Sequence, residues 1–393
     1  MTEYSTVDPA TGKTLEQFAY MTGAEIDERL DAAAGQFDAW RNEPGSVRSR
    51  TLTAVAKVLR ERANDLAVTA VREMGKPIAQ ARAEVEKCAW ACDFFAQNAE
   101  SFLKDLIAET NASESYVAFR PLGVVFAIMP WNFPFWQVFR AAAPAVAAGN
   151  TMVLKHADST TRCALAIEEI FASAGAPDGL FKTLLIDHDR ADALIADERI
   201  AAVTLTGSER AGIAVAQAAG AALKKCVLEL GGSDPFVVLA DAHLDRAVEF
   251  AVKARFQNNG QSCIAAKRFI VEDAIYDRFV RRFAEAAAQQ RVGDPAQDDT
   301  QIGPCARKDL RDELQRQITQ SVVDGGRIVT GGKAIEREGF FYEPTVVADI
   351  APGAAMFEEE TFGPAAAVIR AEDDRHALEL ANRSKFGLGA TIW

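Results

Sequence analysis

Gly123-Val124-Val125-Phe126-Ala127-Ile128-Met129 is an unbroken apolar run, the pattern of a strand covered on both faces. Four more apolar segments follow, at 151–155, 180–186, 201–205 and 226–230. Helical spacing separates them at 136–148, 160–174, 190–196 and 209–219. Strands alternating with helices imply right-handed crossovers and a parallel sheet. Such sheets bind ligands at the carboxyl ends of their strands, so the residues just after each strand are where chemistry is to be sought.

Upstream, 23–102 reads as long amphipathic helices broken at Gly75-Lys76-Pro77, preceded by a turn and an edge strand over 8–22. Residues 116–119 alternate as in a short hairpin or arm. Downstream, Leu230-Gly231-Gly232-Ser233-Asp234-Pro235 is a glycine-rich crossing into a second unit. Strand signals there fall at 236–239, 267–271, 327–330, 345–347 and 366–370, with helices at 245–256 and 274–289. Thr391-Ile392-Trp393 reads as the start of a strand with no helix after it, so this unit is expected to be truncated. The fold class is α/β.

Composition excludes several functions. With 49% hydrophobic residues, the 393-residue chain can bury substantial cores. A net charge of −13 without a Lys/Arg cluster argues against nucleic-acid and membrane-surface partners. The amino terminus has neither the charged nor the apolar region of a signal peptide, and no apolar run approaches a membrane span. The six cysteines have no metal-finger spacing and fit reduced thiols, which points to the cytoplasm. None of the four histidines lies in a zinc-protease pattern, so no metal site is expected.

The chemistry centres on Asn258-Asn259-Gly260-Gln261-Ser262-Cys263, a polar turn between a helix and a strand. A thiol held there can reach a pocket, although a buried core cysteine is the plain alternative. Only the thiolate is reactive, so a base or positive group, an oxyanion donor and an electron acceptor are needed. Met129-Pro130-Trp131-Asn132-Phe133-Pro134 follows a buried strand, and Asn132 can aim its amide N–H at an oxyanion. Glu229 ends an apolar strand, where desolvation would raise its pKa and suit it to general-base work. No G-x-G-x-x-G is present. Instead Thr206-Gly207-Ser208 opens a helix, with Ser208 as N-cap, and free N–H groups there can carry a pyrophosphate. Lys155 and Asp158 lie after another strand and can hydrogen-bond a ribose. Glu360 before Phe362-Gly363-Pro364 could hold a ribose and flank a flat ring.

In this order, Met129–Pro134, Lys155, Thr206–Ser208, Leu228–Gly232, Gly260–Cys263 and Glu359–Pro364 resemble the aldehyde dehydrogenase superfamily. Asp8–Gly12 and Glu73–Pro77 add to the likeness, which covers essentially the whole chain and is nearest to bacterial succinate-semialdehyde dehydrogenases. The resemblance implies a Rossmann-like NAD(P)-binding domain (1–103 and 122–231), an oligomerisation arm (104–121) and a catalytic domain (232–393), with Cys263 at their interface. The family continues past Trp393, including a strand that would complete the arm. The resemblance makes Cys263 the nucleophile, Asn132 and the Cys263 N–H the oxyanion holders, and Glu229 the base that activates water against the thioester. Trp131, Lys155, His156, Ala157, Asp158, Gly207, Ser208, Leu230, Glu360 and Phe362 would contact the cofactor.

Arg140 matches a substrate-carboxylate arginine of some relatives, which suits succinic semialdehyde. The plain alternative is a helix arginine in an ion pair. Gln257 stands where some relatives carry a second arginine. Asp158 would repel a 2′-phosphate, so the cofactor leans to NAD over NADP. A homodimer or homotetramer is implied. The alternatives are a general or CoA-acylating aldehyde dehydrogenase, or a non-catalytic protein of the same fold.

Overall fold

The computed structural model describes residues 3–393. The chain divides into two compact units, the first taking in Leu15–Ala70 and Ala81–Leu230, the second Val7–Thr14, Val71–Gln80 and Gly231–Trp393.

The first unit is built on a five-stranded parallel sheet. Its order is Phe181–Thr183, Thr151–His156, Val124–Met129, Ile200–Thr206, Lys225–Glu229. The apolar run at 124–129 is the central strand. From it the chain moves outward on one side, then returns to build the other side, so the topological switch falls beside its carboxyl end. In register, Ile128 lies opposite Lys155 on one side and Leu205 on the other. Phe126, Val153 and Val203 meet Ile26 and Leu30 of helix Gly23–Trp40 in one core. That helix starts on a reciprocal capping box between Thr22 and Glu25. Gly123 lies at φ +146°, and a Cβ there would meet the Ala201 Cβ at 2.6 Å, so only glycine admits the neighbouring strand so closely. Lys225–Glu229 is an edge strand with Val227 60% exposed. Leu106–Ile107 and Tyr116–Val117 pair antiparallel as a separate two-stranded arm.

The second unit has a six-stranded sheet. Its order is Arg327–Thr330, Thr345–Ala348, Ala365–Ala371, Ala266–Glu272, Asp234–Val238, Thr391–Ile392, all parallel but the first pair. Strand Ala266–Glu272 is buried on both sides from Ala266 to Val271, as a covered parallel strand must be, although Lys267 and Arg268 are charged. Phe269 and Val271 join the core under helices Leu244–Phe256 and Asp273–Ala288. Ile270 joins the opposite core with Leu314 and Ile318 of helix Lys308–Val323.

Two short segments assigned by sequence to the first domain lie in the second unit. The Phe340 N–H donates to the Pro9 carbonyl at 2.9 Å, and the Ile78 N–H to the Pro295 carbonyl at 2.8 Å. Among the described residues, no helix is long and apolar enough to cross a membrane, and no cluster of His, Cys, Asp and Glu could hold a metal ion.

Candidate active site

Helix Leu244–Phe256 leads through the short turn Gln257–Gly260 to Cys263, and in that turn the backbone does something costly. Asn258, Asn259 and Gly260 are all left-handed, with φ of 55°, 59° and 71°. Asparagine tolerates this region better than other side chains, and glycine enters it freely. Such a conformation persists only when its surroundings over-determine it, and here they do. The Asn259 amide donates to the carbonyls of Gly75 and Pro304, both at 2.9 Å, while its oxygen accepts from the Gly303 N–H at 2.7 Å. The Asn258 N–H donates to Gln80 Oε1, and the Asn258 amide to the Gln261 carbonyl. Gln261 Oε1 accepts from the Ala306 N–H. The Glu73–Pro77 motif thereby finds its place: Gly75 braces the turn that carries Cys263.

Two buried cations complete the brace. Arg255, fully buried, donates to the carbonyls of Gly260 and Gly363, both at 2.6 Å, and also to Ala266 and Thr361. Lys267, also fully buried, donates to the carbonyls of Ser262 and Cys263 at 2.9 Å and of Ala265 at 3.3 Å. Its ammonium lies 3.6 Å from Glu360 Oε1, which accepts from the Gly232 N–H at 3.0 Å. A Cβ on Gly231 would meet Glu360 Oε2 at 2.3 Å, and one on Gly232 the Cys263 carbonyl at 2.5 Å. The glycine pair is therefore demanded by two close approaches. Cys263 is partly exposed. Burial pushes its thiol up, and Lys267 pulls it back down. Phe362 is half-buried between buried Thr361 and Gly363. Gln257 is exposed and lines a groove of ≈ 900 Å³ with Gln80, Lys253 and Gln301.

In the first unit the remaining candidates gather at the carboxyl end of the parallel sheet. Trp131 and Asn132 follow the central strand, and Asn132 is 4% exposed. The turn is fixed by Glu84, whose carboxylate accepts from the N–H groups of Phe135 and Trp136, both at 2.9 Å. It is also fixed by His156, whose Nε2 donates to the Pro134 carbonyl at 2.9 Å while Nδ1 accepts from the Ala157 N–H. Burial pushes the His156 imidazole down to about 4, so it stays neutral. Lys155 is buried, which lowers its pKa, and lies 3.6 Å from Asp158 Oδ1. The Tyr20 hydroxyl donates to the other Asp158 oxygen at 2.7 Å.

Ser208 caps helix Glu209–Ala221 by accepting from the Ala211 N–H, as its sequence position predicts. A Cβ on Gly207 would find nothing nearer than 3.8 Å, so the protein's own packing does not require glycine there. The approach to the helix N-terminus is thus open to a phosphate-bearing ligand. Gly212 lets the helix approach Leu230, whose side chain a Cβ would meet at 2.5 Å. Lysine, carboxylate and open helix terminus together fit a dinucleotide.

Glu229 differs from expectation. Its strand is at the sheet edge, and its side chain is 37% exposed, where the apolar sequence led to the expectation of a buried one. It pairs instead with Arg140 at 3.3 Å, and Arg140 also donates to Thr206 Oγ1 at 2.9 Å. The ion-pair alternative for Arg140 is therefore realised. Sequence reasoning missed Glu84, Arg255 and Lys267. Their only signal is a charge inside an otherwise buried helical or strand pattern.

The aldehyde dehydrogenase family model matches residues 1–393. The succinate semialdehyde dehydrogenase [NAD(P)+] Sad of Escherichia coli is 48% identical over 387 residues, spanning 98% of this chain and 84% of that protein. The succinate-semialdehyde dehydrogenase [NADP(+)] 1 of Mycobacterium tuberculosis is 46% identical over 392 residues, spanning 99% and 86%. The crystal structure of succinic semialdehyde dehydrogenase from Streptococcus pyogenes in complex with NADP+ superposes with a TM-score of 0.97 at 36% identity, spanning 99% and 86%. The chain belongs to the aldehyde dehydrogenase family, as an oxidoreductase dependent on a nicotinamide dinucleotide.

Proposed function

We propose that the chain oxidises succinic semialdehyde to succinate by covalent catalysis at Cys263. The observation that carries this reading is the Cys263 turn, whose strained backbone is braced from Gly75, Pro304, Arg255 and Lys267. A core thiol would need no such brace. In this reading the Cys263 thiolate adds to the aldehyde carbon. The Asn132 amide and the Cys263 N–H hold the oxyanion. The dinucleotide, when bound, supplies the acceptor for the hydride that leaves this adduct. Glu229 then takes a proton from water, which hydrolyses the thioester. Glu229 also speaks against the CoA-acylating alternative, because thiolysis needs no such base.

The relatives named as succinate-semialdehyde dehydrogenases support the substrate, and so does Arg140, whose guanidinium can grip a carboxylate. Its contact with Glu229 favours a second role, holding the base in place. Arg140→Gln separates the two. Loss of a carboxylate clamp raises KM for succinic semialdehyde about tenfold or more and leaves propanal unchanged, by the usual worth of a charged hydrogen bond. Loss of base positioning lowers kcat for both aldehydes.

For the cofactor we propose use of both NAD and NADP. The relatives' names include NADP, and Lys155 offsets the Asp158 charge on which the lean to NAD rests. Equal turnover with the two removes that lean, and turnover with NAD alone restores it. The exposed apolar arm residues Leu106, Ile107, Tyr116 and Val117 support a homodimer or homotetramer, which a sedimentation mass of one chain would contradict. The free cysteines support the cytoplasm, and a cell fractionation placing the protein outside it would remove that assignment.

A further inference from the structure

We propose that Lys267 is a positioning residue for the nucleophile: it ties the Cys263 turn to the Glu360 loop and holds a positive charge under the thiol. The inference rests on Cys263 being the nucleophile. A lysine at 0% exposure needs a reason, because an ammonium is among the groups least often buried. Its three donors are all used on the carbonyls of Ser262, Cys263 and Ala265, which bracket the reactive residue. A neutral amide or hydroxyl could not satisfy three carbonyls from one atom. The same ammonium faces Glu360 at 3.6 Å, and Glu360 in turn accepts from Gly232. The Cys263 turn and the distant Glu360 loop therefore meet at one cation, and Gly232 joins them through Glu360.

The charge has a chemical consequence. Burial favours the neutral Cys263 thiol, and Lys267 opposes that effect while Glu360 adds to it. Burial in turn pushes Lys267 itself down to about 8, close enough to neutrality for its charge to be sensitive to its partners. Asp234 and Arg255 are the other charged groups acting on it. Lys267 thus supplies the positive group that thiolate chemistry requires, and Glu360 tempers it.

The test is the rate of Cys263 alkylation by iodoacetamide against pH in the full chain, with the labelled peptide identified by mass, for wild type, Lys267→Met, Lys267→Gln and Glu360→Gln. Below about pH 8, where Lys267 keeps its charge, loss of that charge should slow alkylation in K267M and K267Q roughly tenfold, and above it the variants and wild type should converge. In E360Q, which removes a negative charge acting on both Cys263 and Lys267, the rate should rise. If the buried lysine variants fail to fold, the wild-type profile carries the test, since its rate should depart from a single ionisation near about pH 8. Equal rates below about pH 8 in folded variants, or a wild-type profile of one ionisation, overturn the role of Lys267. Turnover of Cys263→Ala is a separate reading: activity there would remove the nucleophile assignment without touching the alkylation result.

Discussion

At the residue scale the site depends on charges placed where few charges survive. Lys267, Arg255 and Glu84 are each buried and each spend hydrogen bonds on backbone groups of a turn that carries a candidate site residue. His156 does the same as a neutral ring. Its folded pKa, pushed down to about 4 chiefly by burial, lies below the ordinary value of 6.5. The unfolded chain therefore binds the proton first as pH falls. The contribution of His156 is full above about pH 6.5 and is lost between there and about pH 4, by up to about 3 kcal/mol. Urea midpoints measured across that window should fall more steeply for wild type than for His156→Gln. Equal slopes would show that the ring is not held neutral. None of these roles was legible in the sequence, since a histidine after a strand or a lysine opening one looks the same whether it is braced or solvated. Cys263, Asn132 and Gly207 were legible as candidates because each sits in a turn of special residues beside a strand end.

At the element scale, the alternation of apolar runs and helices revealed the parallel sheet, its central strand and the turns that follow its strands. Strand order was not legible, and this is why Glu229 was expected to be buried: only the sheet shows that Lys225–Glu229 is the edge. Helix Lys308–Val323 was also unmarked, because its polar sequence buries only a narrow stripe at Leu314, Gln317, Ile318 and Ser321. The turn after helix Leu244–Phe256 tests how far the local backbone is set by its surroundings. Gly260 lies at φ +71°, and a Cβ there would meet the Gly363 carbonyl at 2.2 Å. Gly260→Ala should cost about 3 kcal/mol of stability by the combined strain and overlap, and lower kcat further than stability alone explains. A denaturation midpoint within error of wild type would mean that the turn relaxes freely.

At the scale of the whole molecule, each unit brings its own share of the chemistry. In the proposed mechanism the first supplies an oxyanion donor and a base, beside an open helix terminus, at one end of a parallel sheet. The second supplies a thiol on a braced turn and a carboxylate beside it. The family match over the full chain agrees with the order of motifs read from the sequence. What sequence could not supply is the bracing from Val71–Gln80, a segment far from the turn it supports and recognisable only once folded. The most direct test of the account is reduction of NAD and of NADP on adding succinic semialdehyde, followed spectroscopically for wild type beside Cys263→Ala. Covalent catalysis at Cys263 requires rapid reduction by the wild type and none above background by the variant. Reduction by Cys263→Ala at a comparable rate would contradict it, and the braced turn would then need another explanation.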